Sequence, residues 1–235
     1  MRKKKHGGER LAACSEFITE KPEFSEGDKV WLEIGAGKGG FATGMSERNP
    51  EVKYFAMERV TDCVVLAAEK AKSYREEGRL GELKFIIDTA DNLNLLFPKN
   101  SLDAIFLNFS DPWSKKGYAK RRLTHRRYLS VYFNLLKDGG TLTFKTDNVG
   151  LFDFTLEEIE AMGLKPLHLT RDLHASVYME GNVVTEYEAA FSAEGVKINM
   201  VRVEKPLGFL PEVSPELTAA ARLAERDRRK NGTDD

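Results

Sequence analysis

Val30-Trp31-Leu32-Glu33-Ile34-Gly35-Ala36-Gly37-Lys38-Gly39-Gly40 decides the architecture of this 235-residue chain. Val30 to Ile34 is a short, mostly apolar run bounded by glycine, which reads as a strand buried in a sheet. The glycines that follow allow a tight turn and let a ligand approach the backbone closely. Residues from about Gly39 to Arg48 then read as a helix. The loop spacing is Gly-x-Gly-x-Gly, which is not the Gly-x-Gly-x-x-Gly of dinucleotide binders. It lacks a Gly-Lys-Ser/Thr ending and so is no phosphate-cradling P-loop.

The same alternation continues outward. Val52 to Met57, Leu83 to Ile87, Leu102 to Leu107 and Thr141 to Lys145 read as strands, with Leu164 to Leu169 and Lys197 to Val203 as two more. Helices are expected from Asp62 to about Glu77, over about 124–136, from Gly150 to Met162 and from Glu186 to Ala193. Such alternation with short Gly-rich turns argues a parallel sheet covered on both faces. Residues after Pro206 are Pro-punctuated, then helix-forming and highly charged from Glu216 to Lys230, and read as an appended tail helix with a frayed end.

Composition allows a sizeable core, with 41% hydrophobic residues and a formal net charge of −1. No apolar run approaches the ~18 residues a membrane span needs. The N-terminus, from Met1 to Gly8, is basic and is not followed by an apolar signal segment. Two distant cysteines, Cys14 and Cys63, make neither a disulfide framework nor a metal cluster and read as reduced cytosolic thiols. His125, His168 and His174 show no ligand spacing, so no metal site is expected. The charge is unevenly spread. Lys115, Lys116, Lys120, Arg121, Arg122, Arg126 and Arg127 fall within 115–127 with no acid among them, a local field suited to a phosphate backbone.

Two acids narrow the ligand. Glu33, at the end of the first strand, would repel a pyrophosphate but pair with a cationic amino-acid moiety. Glu58, at the end of the second, stands where a ribose-diol acceptor is usually found. Together they suit S-adenosylmethionine, which carries a ribose, an ammonium and a sulfonium but no phosphate. After the fourth strand comes Asn108-Phe109-Ser110-Asp111-Pro112-Trp113-Ser114-Lys115-Lys116. An acid, a large aromatic and a cationic run at a strand end suit a polyanion with a base to be held. Asp111 reads as an orienting acceptor, or as a turn former before Pro112. Trp113 reads as a base-stacking platform or as a lid packed on the core. Asp147 reads as an acceptor for a base edge or as an N-cap for the next helix. Thr185-Glu186-Tyr187-Glu188 has the pattern of a capping box.

Five stretches, in order, resemble the bacterial tRNA (guanine-N7-)-methyltransferase family. They are Glu33 to Gly39, Phe109 to Lys116, Lys120 to Thr124, Phe144 to Asn148 and Thr185 to Glu188. The resemblance runs from the basic N-terminus to about residue 204. It implies a class I methyltransferase of the α/β, Rossmann-like kind: a mostly parallel seven-stranded sheet with helices on both faces. Residues 1–205 would form a single domain and residues 206–235 a charged, partly helical tail. The implied reaction is methyl transfer from S-adenosylmethionine to N7 of the variable-loop guanosine of tRNA. A cytoplasmic enzyme without metal or membrane attachment, monomeric or homodimeric, is expected. Carried over by position, the resemblance places cofactor contacts on Glu33, Glu58 and Asp111, with Asp111 also catalytic, and the glycine loop adds Gly35 and Gly37. A further contact falls on Thr89, where the family usually has Asp or Asn, which leaves the adenine-side contact open between Asp88, Thr89 and Asp91. Substrate contacts fall on Lys115, Asp147, Thr185, Glu186, Tyr187 and Glu188. RNA contacts fall on Gly117, Tyr118, Ala119, Lys120, Arg121 and Arg122. Two other readings compete: a nicotinamide-dependent oxidoreductase, and an RNA-binding protein without catalysis.

Overall fold

A computed structural model describes residues 7–230; the basic stretch Arg2 to Lys5 lies outside the described residues. In chain order the elements are α1 (Gly7–Ala12), β1 (Val30–Ile34), α2 (Gly40–Arg48), β2 (Lys53–Met57), α3 (Thr61–Glu76), β3 (Leu83–Ile86), α4 (Leu93–Leu96), β4 (Leu102–Asn108), α5 (Arg126–Leu135), β5 (Leu136–Thr146), α6 (Val149–Ala161), β6 (Pro166–Thr170), α7 (Glu186–Ala193), β7 (Asn199–Glu204) and α8 (Ala219–Lys230). The seven strands form one sheet in the order β3-β2-β1-β4-β5-β7-β6. The ladders among β1 to β5 are parallel, and β7 lies antiparallel between β5 and β6. The strand order reverses between β1 and β4. Connections leave those two strand ends in opposite directions and open a crevice at their carboxyl ends, the usual ligand position in such sheets.

Period-two alternation divides the core. Phe55 and Met57 of β2 point to one face with Leu32 and Ile34 of β1, beneath α4, α5 and α6. Tyr54 and Ala56 point to the other, with Phe85, Ala104 and Phe106, beneath α2 and α3. Helix α5 is buried from Tyr128 to Leu135, on every side, because the sheet, α4, α6 and the C-terminal turn all pack around it. Among its polar members, Ser130 Oγ donates to Arg127 O and Asn134 Nδ2 to Asn94 Oδ1, while the buried Tyr132 hydroxyl has no partner among the described residues.

Most boundaries expected from the sequence fall within a residue or two of those observed. Strand β5 is the exception. Lys137-Asp138-Gly139-Gly140 reads as the turn that ends a helix, yet the strand begins at Leu136 and bulges through these residues. The pairing jumps from Leu102↔Leu136 to Ala104↔Thr141. Gly139 sits at φ +77°, and a Cβ on Gly140 would lie 2.8 Å from Lys137 O, so both glycines are required by a bulge. Its backbone pairs with Lys205 in both directions. Lys205 itself is buried, donating to Asn100 Oδ1 at 2.6 Å and Leu136 O at 2.8 Å. The C-terminal segment is therefore not a loose appendage: Leu217 is buried in the main core, and Phe209 and Val213 pack against it.

Candidate active site

The glycine loop is shaped by its backbone. Gly35, Gly37 and Gly39 all adopt positive φ (+83°, +55° and +74°), a region open to glycine at little cost. Gly39 is also packed tightly, since a Cβ there would stand 2.7 Å from the Ala67 side chain. Gly35 and Gly37 face open space instead, which leaves their backbone approachable from the crevice. The N–H groups of Gly35 and Ala36 both donate to Met57 O, tying the loop to the end of β2.

Two clefts meet over this loop. The larger, of about 590 Å³, is lined by Gly35, Glu58, Thr89, Asp111, Trp113 and Arg127 among others. The smaller, of about 400 Å³, lies between the loop and the start of α7 and is lined by Glu33, Gly37, Phe41 and Thr185 to Tyr187. Gly35, Asn108 and Phe109 belong to both.

Glu33 is 2% exposed. Its Oε1 accepts from Asn108 Nδ2 at 2.9 Å, while Oε2 has no partner among the described residues. Burial pushes its carboxyl up to about 7, against the pull of Asn108 and Lys145. Asn108 Oδ1 and Ser110 Oγ are likewise buried without a partner. Buried polar atoms left unmade are costly, so three of them at the junction of two clefts suit a polyvalent donor such as an ammonium. Residue type alone does not single out Asn108 or Ser110. Their position at the end of β4, beside the acid of β1, was the only available signal.

Glu58 lines the larger cleft and braces it. Its Oε2 accepts from Gly37 N at 3.0 Å and its Oε1 from Val60 N at 2.8 Å. On the far wall, Asp88 turns onto its own loop: its Oδ1 accepts from Thr89 N and Asn92 Nδ2, both at 2.7 Å. Asp91 accepts from Arg127 at 3.1 Å and from the Tyr128 hydroxyl at 2.9 Å. Both aspartates are thus engaged in holding the wall, and Thr89 stands exposed at its edge.

Asp111 is 70% exposed at the mouth of the larger cleft, 3.7 Å from the Arg59 guanidinium. The loop that carries it is strained: Phe109 (φ +53°) and Trp113 (φ +42°) occupy the left-handed region, at a cost of about 1–2 kcal/mol each. Tertiary contacts hold it there. Phe109 N donates to Lys145 O, and the Phe109 ring packs 4.9 Å from that of Tyr187. Arg122 donates to Pro112 O at 2.9 Å and Trp113 O at 3.2 Å, with its guanidinium over Phe154. Arg121 lies over the Trp113 and Tyr118 rings. Trp113 therefore packs on its own loop and lines the cleft at once.

These contacts redraw the basic field. Arg122 serves as a clamp on the Asp111 loop, not as a free cation. Arg126 pairs with Glu158 at 2.8 Å, and Arg127 with Asp91 at 3.1 Å; both acids are distant in sequence and invisible to a local charge count. Lys115, Lys120 and Arg121 remain exposed on the turn that contains Gly117, Tyr118 and Ala119.

Helix α7 forms the opposite rim. Thr185 and Glu188 make the reciprocal capping box. Glu188 was expected against substrate; the structure places it elsewhere, at 0% exposure beneath the rim. It pairs with Lys145 at 2.7 Å and also binds His174 and Asn182. Burial pushes its carboxyl up, but Lys145, His174 and Asn182 together hold it below the usual range. Glu186 faces the cleft, paired with Lys70, and Tyr187 is exposed between Phe109 and Phe191. Asp147 is not the cap of α6: Asn148 Oδ1 takes that role, accepting from Leu151 N at 2.8 Å. The Asp147 carboxylate stands half-buried near Tyr187, whose hydroxyl is pushed up by burial and by that charge. Among the described residues no group of three or more His, Cys, Asp and Glu is placed to hold a metal ion, and no helix is long and apolar enough to cross a membrane.

A family model described as a methyltransferase matches residues 27–201. A tRNA (guanine-N(7)-)-methyltransferase of Lysinibacillus sphaericus (strain C3-41) is 40% identical over 207 residues, covering 84% of this chain and 94% of the relative. Among solved structures, an antibiotic-related methyltransferase superposes with a TM-score of 0.57 at 18% identity, over 88% of this chain and 97% of its own. The 16S rRNA methyltransferase KamB gives 0.59 at 13% identity, over 80% and 99%. These two share the fold: a seven-stranded, mostly parallel sheet of the Rossmann-like class I kind. With the matched family model and the 40% identical relative beside that fold, the chain belongs to the tRNA (guanine-N7-)-methyltransferase family.

Proposed function

We propose that this protein methylates N7 of a guanosine in the variable loop of tRNA, with S-adenosylmethionine as donor, in the cytoplasm. The observation that carries the reading is the meeting of the two clefts at Gly35, Asn108 and Phe109, with Glu58 in one and the half-satisfied Glu33 in the other. Bound there, S-adenosylmethionine supplies an electrophilic methyl group on a sulfonium. Glu58 accepts from the ribose hydroxyls and the Thr89 edge frames the adenine. Glu33, Asn108 and Ser110 receive the ammonium.

Guanine N7 carries a lone pair and no proton at neutral pH, so no general base is needed. The residues must instead orient the base, exclude water and stabilise positive charge spreading into the purine. Asp111 does this as an acceptor at the cleft mouth, free to leave Arg59 for the base. Asp147, Thr185, Glu186 and Tyr187 receive the guanine edge from the opposite rim, while Glu188 holds that rim in place from below. Lys115, Lys120 and Arg121 take phosphates, which position the RNA without reading sequence.

The test is nucleoside mass spectrometry of unmodified tRNA incubated with protein and labelled donor. Labelled 7-methylguanosine is the expected product. Label on another nucleoside, or no label from protein that binds the donor, overturns the assignment.

A further inference from the structure

The C-terminal segment lies outside the matched family region, which ends at residue 201, yet it reaches the cofactor cleft by two polar routes. In the first, Arg222 Nε on α8 donates to Asn92 Oδ1 at 3.2 Å. Asn92 Nδ2 donates to Asp88 Oδ1, which also accepts from Thr89 N. In the second, Glu216 stands 3.6 Å from Arg127 Nη1, and Arg127 Nη2 donates to Asp91 Oδ1 at 3.1 Å. Asp88, Thr89, Asp91 and Arg127 all line the larger cleft. Between the two routes the segment is anchored by Leu217, 1% exposed in the main core, whose carbonyl accepts from Asn94 Nδ2 at 2.7 Å.

We propose that residues 206–230 buttress the adenine-side wall of the cofactor cleft, with Glu216 and Arg222 as positioning residues that set cofactor affinity. The physical reason lies in the wall itself. It is a single turn, Ala90–Asn92, followed by the four-residue helix α4. So short an element has little intrinsic stability and takes its geometry from what holds it. A loosened wall must be reordered whenever the cofactor binds, and that conformational cost is subtracted from affinity. Neither residue touches the crevice, so turnover at saturating cofactor is untouched.

This inference rests on the cleft being the cofactor site, and the test separates the two. S-adenosylhomocysteine binding is measured by calorimetry on the full-length parent, E216Q, R222M and R222K, alongside KM for donor, KM for tRNA and kcat. E216Q, isosteric on an exposed side chain, keeps the fold should R222M not. Expected is a rise of roughly three- to tenfold in Kd and donor KM for E216Q and R222M, the scale of one lost polar contact. tRNA KM and kcat should stay within about twofold of the parent, with R222K recovering most of the affinity through its remaining donor. Variants that bind like a binding parent, even if they melt earlier, overturn the buttress and leave the cleft assignment standing. A parent that binds no S-adenosylhomocysteine overturns both.

Discussion

With Glu33 as the proposed ammonium acceptor, cofactor binding is expected to be coupled to protons. The Glu33 carboxyl, pushed by burial to about 7, is neutral in the free protein through the mildly acidic range. That neutral form stabilises the free fold below the ordinary glutamate range, and the contribution is lost as pH rises through about 7. An ammonium arriving at Oε2 favours the ionised form. Binding of S-adenosylhomocysteine at about pH 6 is therefore expected to release close to one proton, and at about pH 8, where the ligand amine is still an ammonium, very little. Calorimetry in two buffers of different ionisation enthalpy reads this directly, and buffer-independent heats at the lower pH would remove Glu33 from the ammonium site. Asp111 is tested differently. Its exposure and single long contact with Arg59 make Asp111→Ala neutral for folding. Turnover is expected to fall by roughly 10²–10³, the scale of a lost charge-stabilising group. A folded variant with most of its activity would reduce Asp111 to a turn former.

At the scale of elements, α7 and the Asp111 loop are positioned by buried and partly buried cations. Lys145 and Glu188, both essentially inaccessible, pin the start of α7 to β5. Removing one partner strands the other charge. Glu188→Ala is thus expected to lose about 3–5 kcal/mol of stability in urea unfolding, with Glu188→Gln losing less because it still accepts a hydrogen bond. A loss under about 1 kcal/mol would mean the pair is solvated in practice. Arg122 plays the same part for the strained Asp111 loop, through Pro112 and Trp113 carbonyls. Arg122→Ala is expected to lower kcat by about tenfold with cofactor affinity unchanged. A cofactor Kd that rises in step with the loss would place Arg122 on the cofactor side instead.

Across the whole molecule, the near-neutral net charge conceals a local field carried, among the described side chains of 115–127, by Lys115, Lys120 and Arg121, because Arg126 and Arg127 are paired across the fold. Each phosphate contact releases counterions on binding, so K120A/R121A should weaken tRNA binding and flatten its salt dependence by roughly 0.7–0.9 per contact. Leaving Arg122 intact separates charge loss from loop collapse. A variant with the parent salt slope would mean that these side chains are only a solvated face, and the RNA surface would have to lie elsewhere.

Much was legible in the residues alone. Period-two apolar runs and glycine punctuation are local properties, so seven strands, the longer helices and the loop after β1 followed from pattern, while the short α1 and α4 did not. That Glu33, Glu58 and Asp111 line the clefts followed from their standing at strand ends, where a parallel sheet opens its crevice. What pattern could not decide was partnership across long sequence separations. Glu188 and Glu186 are near neighbours on one helix, yet one is sealed beneath the rim by Lys145 and the other faces the cleft. Arg122 and Arg121 are adjacent, yet one is committed to backbone carbonyls and the other is exposed. Asp147 and Asn148 both suit a cap, and only the turn geometry chose Asn148. The bulge at Gly139 and Gly140 depends on Lys205, and Asn92 and Arg127 meet Arg222 and Glu216 from more than 85 residues away. Composition marks the kind of group a position carries, but which charge is buried, paired or left open to a ligand is decided only when distant strands and helices come together.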